Sequence, residues 1–195
     1  MKYDNLLKFF TSIIICELAG VIGSFFTVSQ INGWYKNLNK PSFNPPNWIF
    51  GPVWTTIFVL MGISLYLVWS KKWHPKNKIS REKAKTTNLT SKSKISAVRA
   101  ISTARQKFSS GSWQKLNIVL IFTVQLVLNI LWSIIFFGTH STGLAFFELL
   151  MLWFAIIFTM ANFYRVSKIA ALLLLPYILW VSFAAILNLA IFLIN

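Results

Sequence analysis

Five long apolar runs limit this chain to one kind of structure. Each is long enough to cross roughly 30 Å of hydrocarbon as an α-helix. Because lipid offers no partner for backbone N–H and C=O groups, and because the runs are continuously apolar rather than alternating, they predict helices and not the strands of a membrane barrel. We therefore predict an all-α integral membrane protein, one bundle of five transmembrane helices within residues 1–195. The runs cover residues 6–28, 47–69, 116–137, 143–164 and 169–192.

Composition agrees with a membrane protein and narrows the chemistry of any site. Of the 195 residues, 56% are hydrophobic and only 12% are charged, which is too apolar for a soluble domain of this size. The first run is too long for the core of a signal peptide, so we expect a retained helix. The single cysteine, Cys16, lies inside this run, and one cysteine excludes an intrachain disulfide and a thiolate metal site.

The net charge of +15 is concentrated in one loop. Residues 70–115 contain thirteen lysine or arginine residues against the single Glu82, a net charge of +12. Because this charge lies between two membrane helices, it is first a topology signal, and we predict no nucleic-acid partner. Lysine, serine, threonine and asparagine dominate the segment, which favours a flexible basic insert.

Part of the insert, residues 95–108, leaves two interpretations open. Ile95, Val98 and Ile101 recur at helical spacing, so the segment can lie as a basic amphipathic helix on anionic lipid headgroups. The alternative is a disordered tether.

The distribution of charge also predicts the orientation in the membrane. With five helices, the N-terminus, the basic insert and the turn at 163–168 share one side and carry most of the cations, whereas Lys36 and Lys40 lie on the other. The positive-inside rule then places the N-terminus in the cytoplasm and the C-terminus outside. No targeting segment is visible, and the simple loops favour a prokaryotic plasma membrane.

Three polar groups inside the apolar runs need a partner, because such groups are costly in hydrocarbon. Glu17, at mid-depth of the first run, contacts a ligand or a proton, or it hydrogen-bonds to neighbouring helices that Gly20 and Gly23 allow to approach. We expect Glu148 near the first turn of the fourth helix, where a carboxylate complements the helix dipole. Asn188 is expected to find an internal partner.

Two helix faces combine aromatic and amide side chains, which should point toward protein or a cavity. The fifth helix also contains Pro176 in its interior, which we expect to kink it. The face of the third helix consists of Gln125, Asn129, Trp132 and Phe136. The face of the fifth consists of Tyr177, Trp180, Ala184 and Asn188.

The stretch WYKNLNKPSFNPPNWIFGPVW, residues 34–54, joins the first two helices. Its adjacent prolines favour an extended approach followed by a sharp helix start. Trp48 then lies at the membrane interface, where amphipathic rings are enriched, and Trp54 lies inside the span. We predict that residues 34–46 form a lid over the outer mouth of a site, and that Trp54 forms one wall of that site with the third and fifth helices.

Four stretches of the chain form a recognisable set of motifs. They are residues 34–54, MGISLYLVW (61–69), QLVLNILWSIIFFG (125–138) and LLPYILWVSFAAILN (174–188). In this order they resemble the motifs of the TspO/MBR family, the tryptophan-rich sensory proteins and translocator proteins (peripheral benzodiazepine receptor family). The resemblance covers nearly the whole chain except 70–115. It implies a five-helix bundle, usually a homodimer, that binds porphyrins such as protoporphyrin IX and haem.

The resemblance also assigns site residues by motif. Trp54, in PVW, and Trp180, in PYxxW, are similar to the tryptophans implicated in the family's porphyrin chemistry, which makes them candidate redox residues. Asn129 matches the family's QLxLN asparagine, and Trp34 and Tyr35 match its WY pair. With the two helix faces, the predicted ligand-binding residues are Trp34, Tyr35, Trp54, Asn129, Trp132, Tyr177 and Trp180.

The remaining polar groups define how a tetrapyrrole would be held. Lys36 and Lys40 are expected to meet its propionates. His74 and His140 fall in loops outside the site, so we expect no tight axial ligand to haem iron, no metal site and no obligatory cofactor. Metal-free porphyrin should then bind comparably to haem.

Our first hypothesis is a membrane-embedded sensory or regulatory protein that binds porphyrin or a similar apolar ligand, more a binding protein than an enzyme. The alternatives are an enzyme that degrades porphyrin with light and oxygen, and a tetrapyrrole transporter. The end of the fifth helix lacks the Tyr and the following Lys or Arg of the cholesterol-recognition pattern, so we do not predict cholesterol binding.

Overall fold

The computed structural model describes residues 2–71 and 116–195. Five helices in these ranges are long and apolar enough to cross a membrane, with α6 and α7 together forming the fifth. No β-strand occurs among the described residues. The predicted fold class, an all-α bundle of five membrane-spanning helices, is confirmed. The helices are α1 (Lys2–Ile31), α2 (Trp34–Asn37), α3 (Asn47–Trp69), α4 (Leu116–Gly138), α5 (Thr142–Val166), α6 (Lys168–Leu172) and α7 (Leu175–Ile194).

The chain divides into two units, Met1–Lys71 with Leu120–Asn195, and Lys72–Val119. Of the second unit, only the first residues of α4 are described. The predicted basic insert therefore lies, from residue 72 onward, outside the described residues, and so do His74 and the segment 95–108. The packing contacts and the cavity described below all belong to the first unit.

Glycines allow α1 to approach its neighbours closely. A Cβ added at Gly62 of α3 would come within 2.6 Å of Ile13 Cα, so the backbones of α1 and α3 meet at this point. A Cβ at Gly20 would come within 2.5 Å of the Phe58 ring, and one at Gly23 within 3.1 Å of Ser133 Oγ. Small residues serve this purpose at membrane helix interfaces, as the sequence predicted.

The expected kink at Pro176 is wrong, because the fifth span is interrupted instead. α6 ends at Leu172, and α7 begins at Leu175 with Pro176 in its first turn. The physical reason is that the first turn of a helix has no intrahelical acceptor for its N–H groups, so proline loses nothing there. Pro176 therefore starts a helix rather than bending one.

The loop end of the bundle is the end formed by residues 32–46, residues 139–141 and Asn195. α4 finishes here in a wide π-helical turn, Ile134–Gly138, a local irregularity that is frequent at functional sites. The turn buries both Phe136 and Phe137. They belong to an apolar cluster that closes the loop end, made of Tyr35, Phe136, Phe137, Ala145, Leu187 and Ile191.

Candidate functional site: an aromatic cavity at the loop end

A cavity of about 450 Å³ lies in the loop-end half of the bundle. Its volume falls in the range of small-molecule sites. α1, α3, α4 and α7 form its walls, and Tyr35 of α2 contributes from the loop side. The lining residues of α1 are Glu17, Ala19, Gly20, Val21, Gly23, Ser24, Thr27, Val28 and Ile31. Those of the other elements are Tyr35, Asn47, Trp48, Phe50, Gly51, Trp54, Thr55, Phe58, Asn129, Trp132, Ser133, Phe136, Phe137, Ala184, Leu187, Asn188 and Ile191.

Stacked aromatic rings form two of the walls. In α3, Trp54 stacks on Phe58 with ring centroids 5.7 Å apart and planes at 28°. In α4, Trp132 stacks on Phe136 at 5.3 Å and 23°. Each pair sits one helical turn apart along its helix, so spacing i, i+4 is what brings the rings together. The walls present indole and phenyl surface to a ligand, which suits a flat aromatic molecule.

A buried hydrogen bond supports these walls from behind. Asn129 Nδ2 donates to the hydroxyl oxygen of Tyr177 at 3.0 Å, and the Tyr177 ring meets Trp54 edge-on at 6.3 Å. Tyr177 is only 1% exposed and does not line the cavity. Asn129 thus belongs to the wall and Tyr177 to the layer that fixes it.

Asn188, in α7, has the internal partner that the sequence predicted. In the orientation that satisfies both ends of its amide, the nitrogen donates to the Thr142 carbonyl at 2.9 Å and the oxygen accepts from the Phe146 amide at 3.2 Å. Because Thr142 is the first residue of α5, this bond ties the start of α5 to α7.

Two polar atoms on the cavity wall have no hydrogen-bond partner among the described residues. They are Trp132 Nε1, a donor, and Glu17 Oε1, an oxygen of the carboxyl group. Buried polar atoms are normally paired. The side chains of Trp132 and Glu17 therefore line the cavity with hydrogen-bonding capacity that the described residues leave unused.

The loop covers the cavity through Tyr35. Its hydroxyl donates to Asn44 Oδ1 at 3.0 Å, and burial raises the pKa of Tyr35, an effect that the bond to Asn44 partly opposes. The Lys40 ammonium lies 4.7 Å from the Tyr35 ring centroid. It also donates to the carbonyl oxygens of Leu38 at 3.0 Å and Lys36 at 3.2 Å.

Trp34 joins the loop to the turn between α4 and α5. Its indole stacks on His140 at 4.4 Å and 18° and meets Phe136 edge-on at 5.5 Å. His140 Nε2 lies 3.2 Å from Gln30 Oε1, and the backbone of His140 has a positive φ of 57°, which is uncommon for a residue with a side chain.

The TspO/MBR family model matches residues 12–194, almost the whole chain. The chain belongs to the TspO/MBR family. With its five apolar helices it is an integral membrane protein.

Individual relatives are similar along nearly their whole length. The tryptophan-rich protein TspO of Archaeoglobus fulgidus is 36% identical over 191 residues, 98% of this chain and 99% of that protein. The human translocator protein is 33% identical over 173 residues, 88% of this chain and 80% of its own. The tryptophan-rich sensory protein of Cereibacter sphaeroides is 26% identical over 180 residues, covering 92% and 86%.

In this TspO/MBR protein, four of the predicted ligand-binding residues line the cavity: Tyr35, Trp54, Asn129 and Trp132. Trp34, Tyr177 and Trp180 do not. Trp180 lies behind the lining, edge-on to Phe50 at 5.9 Å and beside Phe183 at 5.5 Å. The predicted propionate ligands Lys36 and Lys40 lie in the loop and not in the cavity wall.

Several lining residues were not predicted. Trp48, assigned to the membrane interface, is 73% exposed and also borders the cavity. Phe50 and Phe58 lie at i−4 and i+4 from Trp54, so helical spacing alone would have placed them on its face. His140, expected outside the site, is outside the lining but contacts Trp34 of the loop.

The prediction that Glu148 lies near the first turn of its helix is wrong. α5 begins at Thr142 and has no acidic residue in its first turn, so the carboxyl lies too deep to stabilise the helix terminus, an effect confined to the first turn. Glu148 is 5% exposed, and neither oxygen has a hydrogen-bond partner among the described residues. It does not line the cavity.

Proposed function

We propose that this protein binds a tetrapyrrole, such as protoporphyrin IX or haem, in the loop-end cavity and acts as a sensory or regulatory membrane protein. The observation that carries the proposal is the cavity of about 450 Å³ between the stacked pairs Trp54–Phe58 and Trp132–Phe136. A macrocycle is flat, aromatic and largely apolar, so such walls offer it both stacking and edge contacts.

The loop supplies the polar end of this proposed complex. Lys36 and Lys40 belong to the loop, and the Lys40 ammonium donates to two carbonyl oxygens and lies 4.7 Å from the ring centroid of Tyr35, a lining residue. Propionates directed toward the loop would gain charge-assisted hydrogen bonds from these lysines, while the apolar edge of the macrocycle extends between the helices.

Haem and metal-free porphyrin should bind comparably. Among the described residues, no histidine or cysteine lines the cavity, and the His140 ring stacks on Trp34 outside the lining. Recognition would thus depend on the macrocycle and its propionates and not on ligation of the iron.

The alternative activities each have a specific observation behind them. Trp54 lines the cavity, and Trp180 packs edge-on against Phe50, another lining residue. Both indoles would then lie near a porphyrin bound in this cavity, as an enzyme that degrades porphyrin with light and molecular oxygen would require. Transport is suggested by the name of the human relative, a translocator protein; the name of the Cereibacter relative favours a sensory role.

We further propose that the loop end faces outward, with the N-terminus in the cytoplasm of a prokaryotic cell and the protein in its plasma membrane. The opposite end carries Lys8, Lys71, Arg165 and Lys168, which supports this orientation by the positive-inside rule. We also expect a homodimer, and a contact of the 70–115 insert with anionic lipid. Cross-linking of the protein in lipid tests the dimer. Binding of the isolated insert peptide to liposomes with and without anionic lipid tests the lipid contact.

The decisive experiment is a titration of purified protein with protoporphyrin IX, followed by the porphyrin absorbance in the dark and under illumination. Trp54→Phe and Trp132→Phe should weaken binding, because each removes indole surface from a wall. Trp153→Phe is the matched control, since the Trp153 Nε1–H donates to Ser182 Oγ at 2.9 Å away from the cavity.

Each outcome has a definite meaning. Unchanged affinity in both wall variants would refute the assignment of this cavity. Loss of porphyrin absorbance only in the light, and dependent on Trp54 or Trp180, would favour the enzyme; stable absorbance would favour binding without chemistry.

A further inference from the structure

Glu17 marks the inner end of the cavity. It is the deepest lining residue of α1, about 21 Å from Ile31 along the helix axis at about 1.5 Å per residue. The residues Gly20 and Ser24 continue the same face toward the loop end. The Glu17 carboxyl thus lies at one end of the cavity, and the loop of residues 34–46 covers the opposite end through Tyr35.

The part of the chain that the structure describes places no cationic side chain in the cavity lining beside the Glu17 carboxyl. The Glu17 Oε1 is buried and meets no hydrogen-bond donor among the described residues. Among the described residues, no lysine, arginine or histidine lines the cavity. A carboxyl group in such surroundings gains strongly from any cation or N–H donor that enters.

Aromatic surface lines the same cavity as this carboxyl. Gly20, one turn further along α1, packs against the Phe58 ring, and Phe58 is stacked on Trp54 at 5.7 Å. A carboxylate next to the faces of aromatic rings is the combination that recognises an organic ammonium ion, by a charge-assisted hydrogen bond together with cation–π attraction.

We propose that the cavity is a site for organic cations: apolar aromatic molecules whose protonated amine meets Glu17 between α1 and α3. This goes beyond the tetrapyrrole proposal, because the charged groups of a porphyrin are anionic and would be directed away from Glu17, toward Lys36 and Lys40. The two ligand classes would lie in the same cavity with opposite polarity, and each would exclude the other.

A matched pair of ligands tests the proposal on the unmodified protein. Pyrenebutylamine and pyrenebutanol differ in one charged group, and energy transfer from the tryptophans to pyrene reports binding in a neutral detergent at pH 7. We expect the amine to bind at least about tenfold more tightly than the alcohol, the effect of one hydrogen bond to a charged group. Equal affinities would overturn the proposal.

Two conservative variants then locate the effect. Glu17→Gln keeps the shape of the side chain and should reduce the preference for the amine to less than about threefold. Glu148→Gln changes another buried carboxyl, outside the lining, and should keep the full preference. If both variants keep it, or if Glu148→Gln alone abolishes it, Glu17 is not the recognition group.

If Glu17→Gln does not fold, as judged by thermal unfolding, Glu17→Asp replaces it. The shorter side chain retracts the carboxyl and should lower the preference for the amine without abolishing it.

The test of the cation site is independent of the tetrapyrrole proposal. Competition by protoporphyrin IX is measured last. If porphyrin does not bind, the comparison of the amine with the alcohol still tests the cation site. If the amine is not preferred, the result says nothing against porphyrin binding.

Discussion

Asn129 and Tyr177 are joined by a buried hydrogen bond in which Asn129 Nδ2 donates to the Tyr177 hydroxyl at 3.0 Å. The bond connects α4 to α7, and each partner also serves the cavity: Asn129 is part of its wall, and the Tyr177 ring supports Trp54. It is therefore the contact by which the aromatic wall of α3 is positioned relative to the amide face of α4.

Tyr177→Phe should destabilise the protein, because it leaves the buried amide of Asn129 without its acceptor. We expect a loss of about 1–3 kcal/mol in the free energy of unfolding, measured by thermal or denaturant unfolding in detergent. The double variant Asn129→Leu with Tyr177→Phe should recover part of this loss, since no unpaired polar group then remains. If the double variant loses as much as the two single variants together, the bond contributes nothing.

Gly62→Ala should be much more damaging than Gly51→Ala, although both glycines lie in α3. A Cβ at Gly62 would come within 2.6 Å of Ile13 Cα, whereas nothing lies within 4 Å of a Cβ at Gly51. We expect Gly62→Ala to cost about 1–3 kcal/mol, as overpacking does, and Gly51→Ala to cost nothing or to stabilise by up to about 1 kcal/mol. Thermal unfolding of the two variants side by side decides; equal shifts would mean that α1 and α3 are not in backbone contact.

Sequence reasoning reached the fold because the five apolar runs allow only one backbone solution in lipid. Four of the seven predicted ligand-binding residues line the cavity, since helical spacing links Asn129 to Trp132 on one face and Trp54 lies inside its span. The same spacing also places Phe50 and Phe58 on the face of Trp54, because they lie four residues before and after it.

Other features depend on tertiary packing that no spacing reveals. Phe136 and Phe137 are both buried in the wide turn at 134–138, and the fifth span is interrupted between Leu172 and Leu175. Trp180 was placed in the site by its motif, yet the packing of Phe50 separates it from the cavity. α5 begins at Thr142, so Glu148 lies beyond the first turn, and the apolar pattern of the sequence does not show this start.

The loop should loosen at alkaline pH through Tyr35. Burial raises the pKa of this phenol above its ordinary value of about 10, so the folded loop favours the protonated form. The associated stability is complete below about pH 10 and is lost as the pH rises toward the folded pKa. The difference in tyrosinate absorbance between the native protein and Tyr35→Phe should therefore show a transition above pH 10, and the variant should lose less stability over this range. A Tyr35 transition at or below pH 10 would contradict the buried position of the ring.

Asn195, which follows α7 at the loop end, binds the loop of residues 34–46 that we call the lid. Asn195 accepts a hydrogen bond from the Asn39 amide at 2.9 Å and donates to the Asn39 carbonyl at 3.0 Å, so one side chain satisfies both backbone groups of a loop residue. Its Nδ2 also donates to the Ile191 carbonyl at 2.8 Å, and Ile191 lines the cavity. The lid is thus fastened directly to the helix that forms one cavity wall.

Asn195→Ala should release this fastening and speed the exchange of any ligand that passes the lid. Two exposed hydrogen bonds at roughly 0.5–1 kcal/mol each predict about tenfold faster dissociation of bound protoporphyrin IX, followed as its transfer to excess lipid vesicles. Independently of any ligand, amide hydrogen exchange at residues 38–46 should accelerate. Asn162→Ala is the matched control, because within the described residues the Asn162 side chain bonds inside α5, to the Phe158 carbonyl at 2.8 Å. Unchanged exchange in Asn195→Ala would show that the lid is held by the packing of Tyr35 and Trp34 and not by this amide.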